Sequence, residues 1–585
     1  MNDKLDFPHL GSVLGHPSQL FVLFFTEMWE RFSYYGMRGL LVLFLTTSIL
    51  GDEVKGYAPG WGWDNSNALQ LYALYTGLVY FTPLIGGMLA DKYLGYRKAV
   101  IIGAFVMALG HGLMAFEVPI LFFFGLTALI VGNGLFKPNI SSMVGQLYKG
   151  KEDQKDSAYT IFYMGINAGA FLGILLCGYI GEKINWSYGF GLAMIFMIAG
   201  ALQFWFSGKI FGEIGKKPQN DGLADVEVKT ETIDPEVKSK RTIIWSVISI
   251  VIGVMIYFLM RWFHGDSLEG ILSIVNNLYM PGLLLGSVIG TVGFIVTDPS
   301  LSRIERDRVW VIVAFSFFVI FFWWAFEQSG GSMTIFAANY TDRTLEGSGA
   351  IIFNTVNSIL TLGALAVITW VLLKLFRVTW SEVSVGNTIL AASFVLIWGL
   401  VIWMLYREFV AEQSEVQASW FSILNSFFII TLAPLFTKFW EKKIVTSGPV
   451  KFALALFLVG LGFAFLALGS AGIEQGAQTA SVSMVWLILA YFFHTSGELC
   501  ISPVGLSYVS KLAPVRLLGL MFGIWFIANF IANWAAGMTG SYIDVIVENN
   551  SMSVFFLIFT AITMGVAVLC ILFKGVLTRR MHGFE

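Results

Sequence analysis

Glu27, Glu30, Arg31, Tyr34 and Arg38 are spaced i, i+3, i+4, i+7 and i+11 within the stretch EMWERFSYYGMR, residues 27–38, so on a helix they share one face. Apolar residues flank the stretch on both sides, which makes this face a polar stripe on a membrane helix. A charge at mid-bilayer costs about 2.5–3.5 kcal/mol on insertion scales, so the stripe must face other protein or a water-filled cavity. A transport pathway is the function such a stripe serves. A static i, i+4 pair between Glu27 and Arg31 is the simpler alternative.

Other polar residues interrupt apolar segments downstream. Lys137 is a lone cation in GNGLFKPN, residues 132–139; Glu327 lies in WWAFEQSGG, residues 323–331; Glu498 lies in SGELCISP, residues 496–503. Asn167 and Asn425 read equally as interhelical hydrogen-bonding residues or as site residues. His111 and His494 read as helix-interface residues rather than proton relays. Depth sorts the charges. The first helix runs outward, so Arg38 lies about 10 Å nearer the outside than Arg31, at ~1.5 Å per residue. Glu327 is near the outer end of its helix, whereas Lys137 and Glu498 are close to mid-membrane. Two pairs between bundles are therefore expected, Arg38 with Glu327 on the outer side and Lys137 with Glu498 deeper. Charges that pair and part would bias alternating access, because an unpaired buried charge is strongly unfavourable. Tyr34, Tyr35, Tyr80, Trp323 and Trp525 interleave with these charges and suit a cavity for variable side chains, although in a chain that is 16% aromatic each one alone reads as packing.

The elements that must position these residues follow from composition. With 56% hydrophobic and 13% charged residues, and a mean hydropathy of +0.74, the chain of 585 residues reads as an all-α polytopic membrane protein. A net charge of −2 gives no basic surplus for nucleic acid. Cys177, Cys500 and Cys570 lie in separate apolar runs and read as packing residues, so no disulfide framework, metal or cofactor is expected. No cleavable signal peptide is visible in MNDKLDFPHL.

Taking about 20 apolar residues per span, helices are expected near 18–48, 68–90, 98–116, 119–146, 158–181 and 187–206, then 242–261 and 279–297, then 309–330, 351–376, 387–407, 417–437, 450–470, 482–510, 516–540 and 552–574. That arrangement implies an N-terminal six-helix bundle over 1–206, a cytoplasmic linker over 207–241, an inserted hairpin over 242–297, and a C-terminal six-helix bundle over 298–585 interrupted by a second hairpin at about 351–407. Two bundles meeting at a midplane site are a transporter plan. Lys and Arg recur in alternate loops: Lys92, Arg97 and Lys98; Lys149, Lys151 and Lys155; Lys216, Lys217, Lys238, Lys240 and Arg241; Arg303, Arg306 and Arg308; Lys374 and Arg377; Lys438, Lys442 and Lys443; Lys511 and Arg516; Arg579 and Arg580. The other loops, such as the one with Asp52, Glu53 and Asp64 or the one with Asp544 and Glu548, are acidic or poor in positive charge. The positive-inside rule then sets both termini in the cytoplasm.

These segments resemble a known family. EMWERFSYYG resembles the ExxERFxYYG motif of the proton-dependent oligopeptide transporters (the POT/PTR family) of the major facilitator superfamily. IFYMGINAGAF resembles the second family signature, GNGLFKPN, FEQ and GELCISPVGLS resemble its segments in helices 4, 7 and 10, and GGMLADKYLGYRK, with Asp91 and Arg97, resembles the superfamily's cytoplasmic motif. The resemblance implies a bacterial inner-membrane symporter that imports di- and tripeptides with protons and carries no cofactor. It implies that Glu27, Glu30 and Arg31 couple protons, and that Arg31, Tyr35 and Lys137 meet the peptide carboxylate. Asn167, Asn425 and Glu498 would hold the amino group. Tyr80, Trp323 and Trp525 would line side-chain pockets, with Tyr34 and Ser502 also at the substrate site, and Arg38 with Glu327 would form the outer gate.

The chain departs from the family pattern in its second hairpin, within residues 331–416, where most members have a short loop, and in Ala73, which stands where animal members have a histidine. The hairpin at 242–297 is common in bacterial members. Competing readings are a relative that carries another small solute, such as nitrate or an amino-acid conjugate, and a non-transporting membrane sensor. The loops contain no metal-ligand spacing, nucleophile elbow or phosphate loop, so an enzyme is not expected.

Overall fold

The computed structural model describes residues 7–8, 10–51, 57–217, 235–265, 267–411, 413–442 and 447–583. Residues 218–234 of the expected linker, together with Asp52, Glu53 and Lys443, lie outside the described residues, and so does the side chain of Lys238.

Among the described residues sixteen long helices follow one another: α1 Ser18–Thr46, α2 Asn65–Leu89, α3 Tyr96–Met114, α4 Pro119–Leu147, α5 Glu152–Lys183, α6 Trp186–Phe206, α7 Pro235–His264 and α8 Ile271–Val296. The rest are α9 Arg303–Phe326, α10 Gly347–Thr379, α11 Ser384–Val410, α12 Ile423–Glu441, α13 Gly448–Gly469, α14 Val485–Leu512, α15 Leu518–Gly540 and α16 Met552–Arg580. Among the described residues, fifteen helices, α2 to α16, are long and apolar enough to cross a membrane. α1 is as long, but its Glu27, Glu30, Arg31 and Arg38 set it apart. Helices dominate because a bilayer offers no partner for backbone N–H and C=O groups, which must be satisfied within each segment.

Several helices outrun the apolar spans read from sequence: the expected 158–181 is Glu152–Lys183, and the expected 351–376 is Gly347–Thr379. Backbone hydrogen bonding does not stop where hydrophobicity stops. The expected 279–297 begins at Ile271 and passes through a π turn, Val275–Tyr279. A second π turn, Ala90–Leu94, closes α2, and Gly95 then takes φ +76° before α3.

The chain divides into two compact units. One comprises Met1–Gly62, Thr82–Gln219 and Asp342–Ser426. Within it α1 and α5 lie close because Gly165, Gly169 and Gly173 recur every fourth residue against α1; a Cβ on Gly169 would stand 2.9 Å from Arg31 Cβ. α3 and α4 meet similarly, and a Cβ on Gly132 would be 2.7 Å from the Gly103 carbonyl. The hairpin α10–α11 packs into this unit, with Phe394 edge-on to Phe25 and Trp29 of α1 at centroid distances of 5.7 and 5.6 Å. Asn354 of α10 donates to the Glu408 carbonyl at 3.0 Å and to Ser414 Oγ at 2.8 Å, closing the hairpin's far end. Arg97 follows the turn after α2 and donates to the Gly212 and Ile214 carbonyls at 2.8 and 2.6 Å, which fixes the chain leaving α6.

The other unit comprises Trp63–Phe81, Asn220–Thr341 and Phe427–Glu585. The hairpin α7–α8 is bonded internally, Ser249 Oγ donating to the Gly286 carbonyl at 2.7 Å. Asn276, in the π turn, donates to the Gln70 carbonyl of α2 at 3.1 Å and accepts from Trp534 Nε1 of α15 at 3.0 Å. α9 opens with a capping box between Ser302 and Glu305, and Arg516 pairs with Glu305 at 2.7 Å. Phe463 of α13 stacks on Phe559 of α16 at 4.8 Å. Cys177, Cys500 and Cys570 are all free and buried.

Candidate functional site

The polar stripe lies on α1, most of whose residues are buried. Glu30 is 0% exposed, Glu27 2% and Arg31 3%, so three ionisable groups share a buried region. Arg31 Nε meets Glu27 Oε1 at 3.1 Å and also bonds Glu30 Oε2. Asn133 of α4 donates to Glu30 Oε1 at 3.3 Å. Lys137, one turn further along α4, is near enough for its charge to bear on both Glu27 and Glu30. Among the described residues, Glu27 Oε2, Arg31 Nη2 and Asn133 Oδ1 are buried without a hydrogen-bond partner. The arginine thus spends its inner nitrogen on the two glutamates and keeps part of its outer edge for another acceptor.

The arrangement continues up the helix. The Arg31 guanidinium lies 5.3 Å from the Tyr34 ring centre, Tyr34 and Tyr35 meet edge-on at 5.1 Å, and the Arg38 guanidinium lies 6.0 Å from the Tyr35 ring centre. Asn167 on α5 is 5% exposed and donates to the Tyr163 carbonyl one turn back at 3.0 Å. Asn425, at the start of α12, is half-buried.

In the other unit, Glu498 on α14 and Trp525 on α15 are 9% and 7% exposed, and Ser502 is half-buried one turn beyond Glu498. Trp525 packs its ring against Gly505, where a side chain would collide with it. Glu327 ends α9 at its C-cap, is 3% exposed, and begins the 3-10 turn Glu327–Gly330. Trp323, half-buried one turn earlier, lies edge-on to Phe322 and Phe326 at 5.2 and 5.1 Å. Tyr80 on α2 is half-buried beside Met280, Leu284 and Phe530.

The sequence reading did not single out Asn133, although its i, i+4 spacing to Lys137 was a signal that placed it on the same face. It also missed Glu182, one residue past the expected end of its helix at 181. His111 and His494 are buried in their helices, and among the described residues both ring nitrogens of His111 are without a hydrogen-bond partner. No group of three or more His, Cys, Asp or Glu able to hold a metal ion occurs among the described residues.

The chain as a whole is similar to known proteins. The family model described as the POT family matches residues 97–401 and 400–555. An uncharacterized transporter of Bacillus subtilis, YclF, is 31% identical over 97% of this chain and 96% of its own length. The peptide transporter YePEPT of Yersinia enterocolitica is 30% identical over 93% of this chain and 91% of its own. A crystal structure of the peptide transporter POT in complex with sulfate superposes with a TM-score of 0.71 at 29% identity, covering 99% of this chain and 98% of that one. The family and this solved structure are transporters, not enzymes. This multi-pass membrane protein, of major facilitator type with two extra hairpins, belongs to the POT family of peptide transporters.

Proposed function

We propose that this protein is a proton-coupled symporter that imports di- and tripeptides by alternating access, with both termini in the cytoplasm. One observation carries the reading: Arg31 is held by two buried carboxylates through Nε, while Nη2 has no hydrogen-bond partner among the described residues. A peptide carboxylate can take that outer edge, a geometry in which guanidinium binds carboxylates well. When it draws Arg31 away, Glu27 or Glu30 is left desolvated beside a weaker partner and takes a proton. The proton lowers the cost of carrying the charge through the closed state, and its release inside restores the pairing. Relatives named di-/tripeptide transporters, such as that of Lactococcus lactis, 29% identical over 88% of this chain and 87% of its own, support peptides as the substrate.

In this reading Glu27, Glu30 and Arg31 form the coupling group. Arg31, Tyr35 and Lys137 face the peptide carboxylate, Asn167, Asn425 and Glu498 face the amino end, and Tyr34 and Ser502 also lie at the substrate site. Tyr80, Trp323 and Trp525 accept side chains. Arg38 with Glu327 and Lys137 with Glu498 pair and part between an N-terminal bundle, 1–206, and a C-terminal bundle, 298–585. The test is uptake of a labelled dipeptide into proteoliposomes with and without an inward proton gradient. Uptake that follows the gradient is expected; uptake of several dipeptides that is absent or ignores the gradient refutes the proposal.

A further inference from the structure

Glu182 closes α5 with a carboxylate that is 0% exposed. It accepts from the Tyr57 hydroxyl at 2.9 Å, from the backbone N–H of Ala418 at 2.9 Å and of Ser419 at 3.0 Å, and from the Ser419 hydroxyl. Ala418 and Ser419 open the 3-10 turn Ala418–Ser422 that leads into α12. First-turn N–H groups find no acceptor within their own helix and form its positive end, so a carboxylate from a second helix satisfies both needs at once. Arg343 completes the cluster: Nη2 lies 3.2 Å from the Tyr57 hydroxyl and 2.9 Å from Glu415 Oε1, and Nη1 donates to the Val416 carbonyl at 2.6 Å. Lys183 pairs with Glu415 as well. Burial first, and then Glu182, push the Tyr57 hydroxyl well above its usual range, which keeps it a donor.

A second set of contacts fixes the same junction. Trp420 Nε1 donates to the Leu175 carbonyl of α5 at 3.0 Å, and its ring stacks on Tyr179 at 6.1 Å. From that contact Asn425 lies five residues along α12, and Asn167 lies eight residues back along α5. At ~1.5 Å per residue these are roughly 8 and 12 Å, so the two asparagines come within about one helical turn of each other in depth.

We propose that Glu182 is a positioning residue of the substrate site: it clamps the start of α12 onto the end of α5 and so sets Asn425 against Asn167. This rests on the reading of those two asparagines as partners of the peptide amino group. Glu182 touches neither substrate nor proton; it acts through the helix that it caps.

The test compares a dipeptide with its N-acetylated form in proteoliposomes. In E182Q the side-chain amide keeps the shape but turns one acceptor into a donor that faces a backbone N–H and a hydroxyl, those of Ala418 and Tyr57 in one orientation and both of Ser419's in the other. KM for the free-amino dipeptide is expected to rise about tenfold with kcat within about twofold, while KM for the acetylated form stays nearly unchanged. S419A, which removes one bond to Glu182, and Y57F, which removes one bond to Glu182 together with the one from Arg343 Nη2, move KM in the same direction by about threefold. Nitroxide labels on cysteines at Tyr188 and Gln413, both exposed, read the junction directly, since the native cysteines are buried; their distance distribution broadens in E182Q. Equal loss for both substrates, or unchanged discrimination in a correctly inserted E182Q, overturns the proposal. If E182Q does not reach the membrane, unchanged discrimination in both S419A and Y57F overturns it. A wild type blind to the amino group refutes the asparagine reading alone, and the label distances then decide the clamp, an unchanged distribution sinking it.

Discussion

Replacing Glu30 by Gln isolates the charge of the coupling group from its packing. Glu30 uses one oxygen for Arg31 Nε and the other for Asn133 Nδ2. In E30Q the amide oxygen keeps Arg31, and the new NH2 faces the Asn133 side chain. Asn133 Oδ1 is buried without a partner among the described residues, so a flip of that amide turns donor against donor into donor against acceptor. The hydrogen-bond count is preserved and the loss is that of charge assistance, about 1 kcal/mol. Coupling carries far more energy. One proton is worth about 1.4 kcal/mol per pH unit and about 2.3 kcal/mol per 100 mV, enough at one unit and 100 mV for roughly 500-fold accumulation. E30Q is therefore expected to exchange labelled for unlabelled peptide within about threefold of the wild-type rate, yet to bring internal peptide only to the external concentration under a full gradient. Both are read in the same proteoliposomes, by counterflow and by steady-state uptake. Wild-type accumulation in E30Q refutes the coupling role of this carboxylate.

Three further outcomes follow from packing and charge. G169A places a methyl group 2.9 Å from Arg31 Cβ and against the Met28 carbonyl, so α1 and α5 must part; a destabilisation of about 1–3 kcal/mol is expected, seen as a lower thermal midpoint in detergent, and an unchanged midpoint contradicts it. N276A leaves Trp534 Nε1 and the Gln70 carbonyl without their partner, at a cost of about 1–3 kcal/mol. Amide exchange at the start of α8 then quickens, whereas unchanged protection there shows that Asn276 does not tether the hairpin. Asp544, in the short helix Ile543–Asn549 that precedes α16, has its carboxyl pKa raised by burial first and by Asp64 as well, against the Asn65 hydrogen bond of 2.8 Å. A raised folded pKa means that the folded state binds more protons than the unfolded one, so this group's contribution falls as pH rises from the ordinary aspartate value through the raised one. D544N keeps the acceptor for Asn65 and removes the titration, so its midpoint gains on wild type towards neutral pH; parallel pH profiles refute the assignment.

Much of the architecture was legible in the chain itself. Sixteen long helices among the described residues, both inserted hairpins and the stripe on α1 follow from counting apolar residues and from the 3.6-residue period. The physical reason is that membrane insertion is close to a residue-by-residue sum and a helix satisfies its backbone within itself. The same locality made the contact of Arg31 with Glu27 readable as an i, i+4 pair. Helix ends were less legible, because α5 and α10 run on past their apolar segments.

Tertiary structure decided what depends on partners remote in sequence. Glu30 and Asn133 are 103 residues apart, and Glu182 and Ser419 are 237 apart, so no local pattern joins them. Only packing shows that Arg31 commits its inner nitrogen and keeps Nη2, that the hairpin α10–α11 rests its Phe394 on α1, and that Asn276 ties α8 to α2 and α15. Composition states which groups must leave lipid. Which of them meet depends on how closely glycines let helices approach and on which buried donor finds which buried acceptor, and those are properties of the assembled helices.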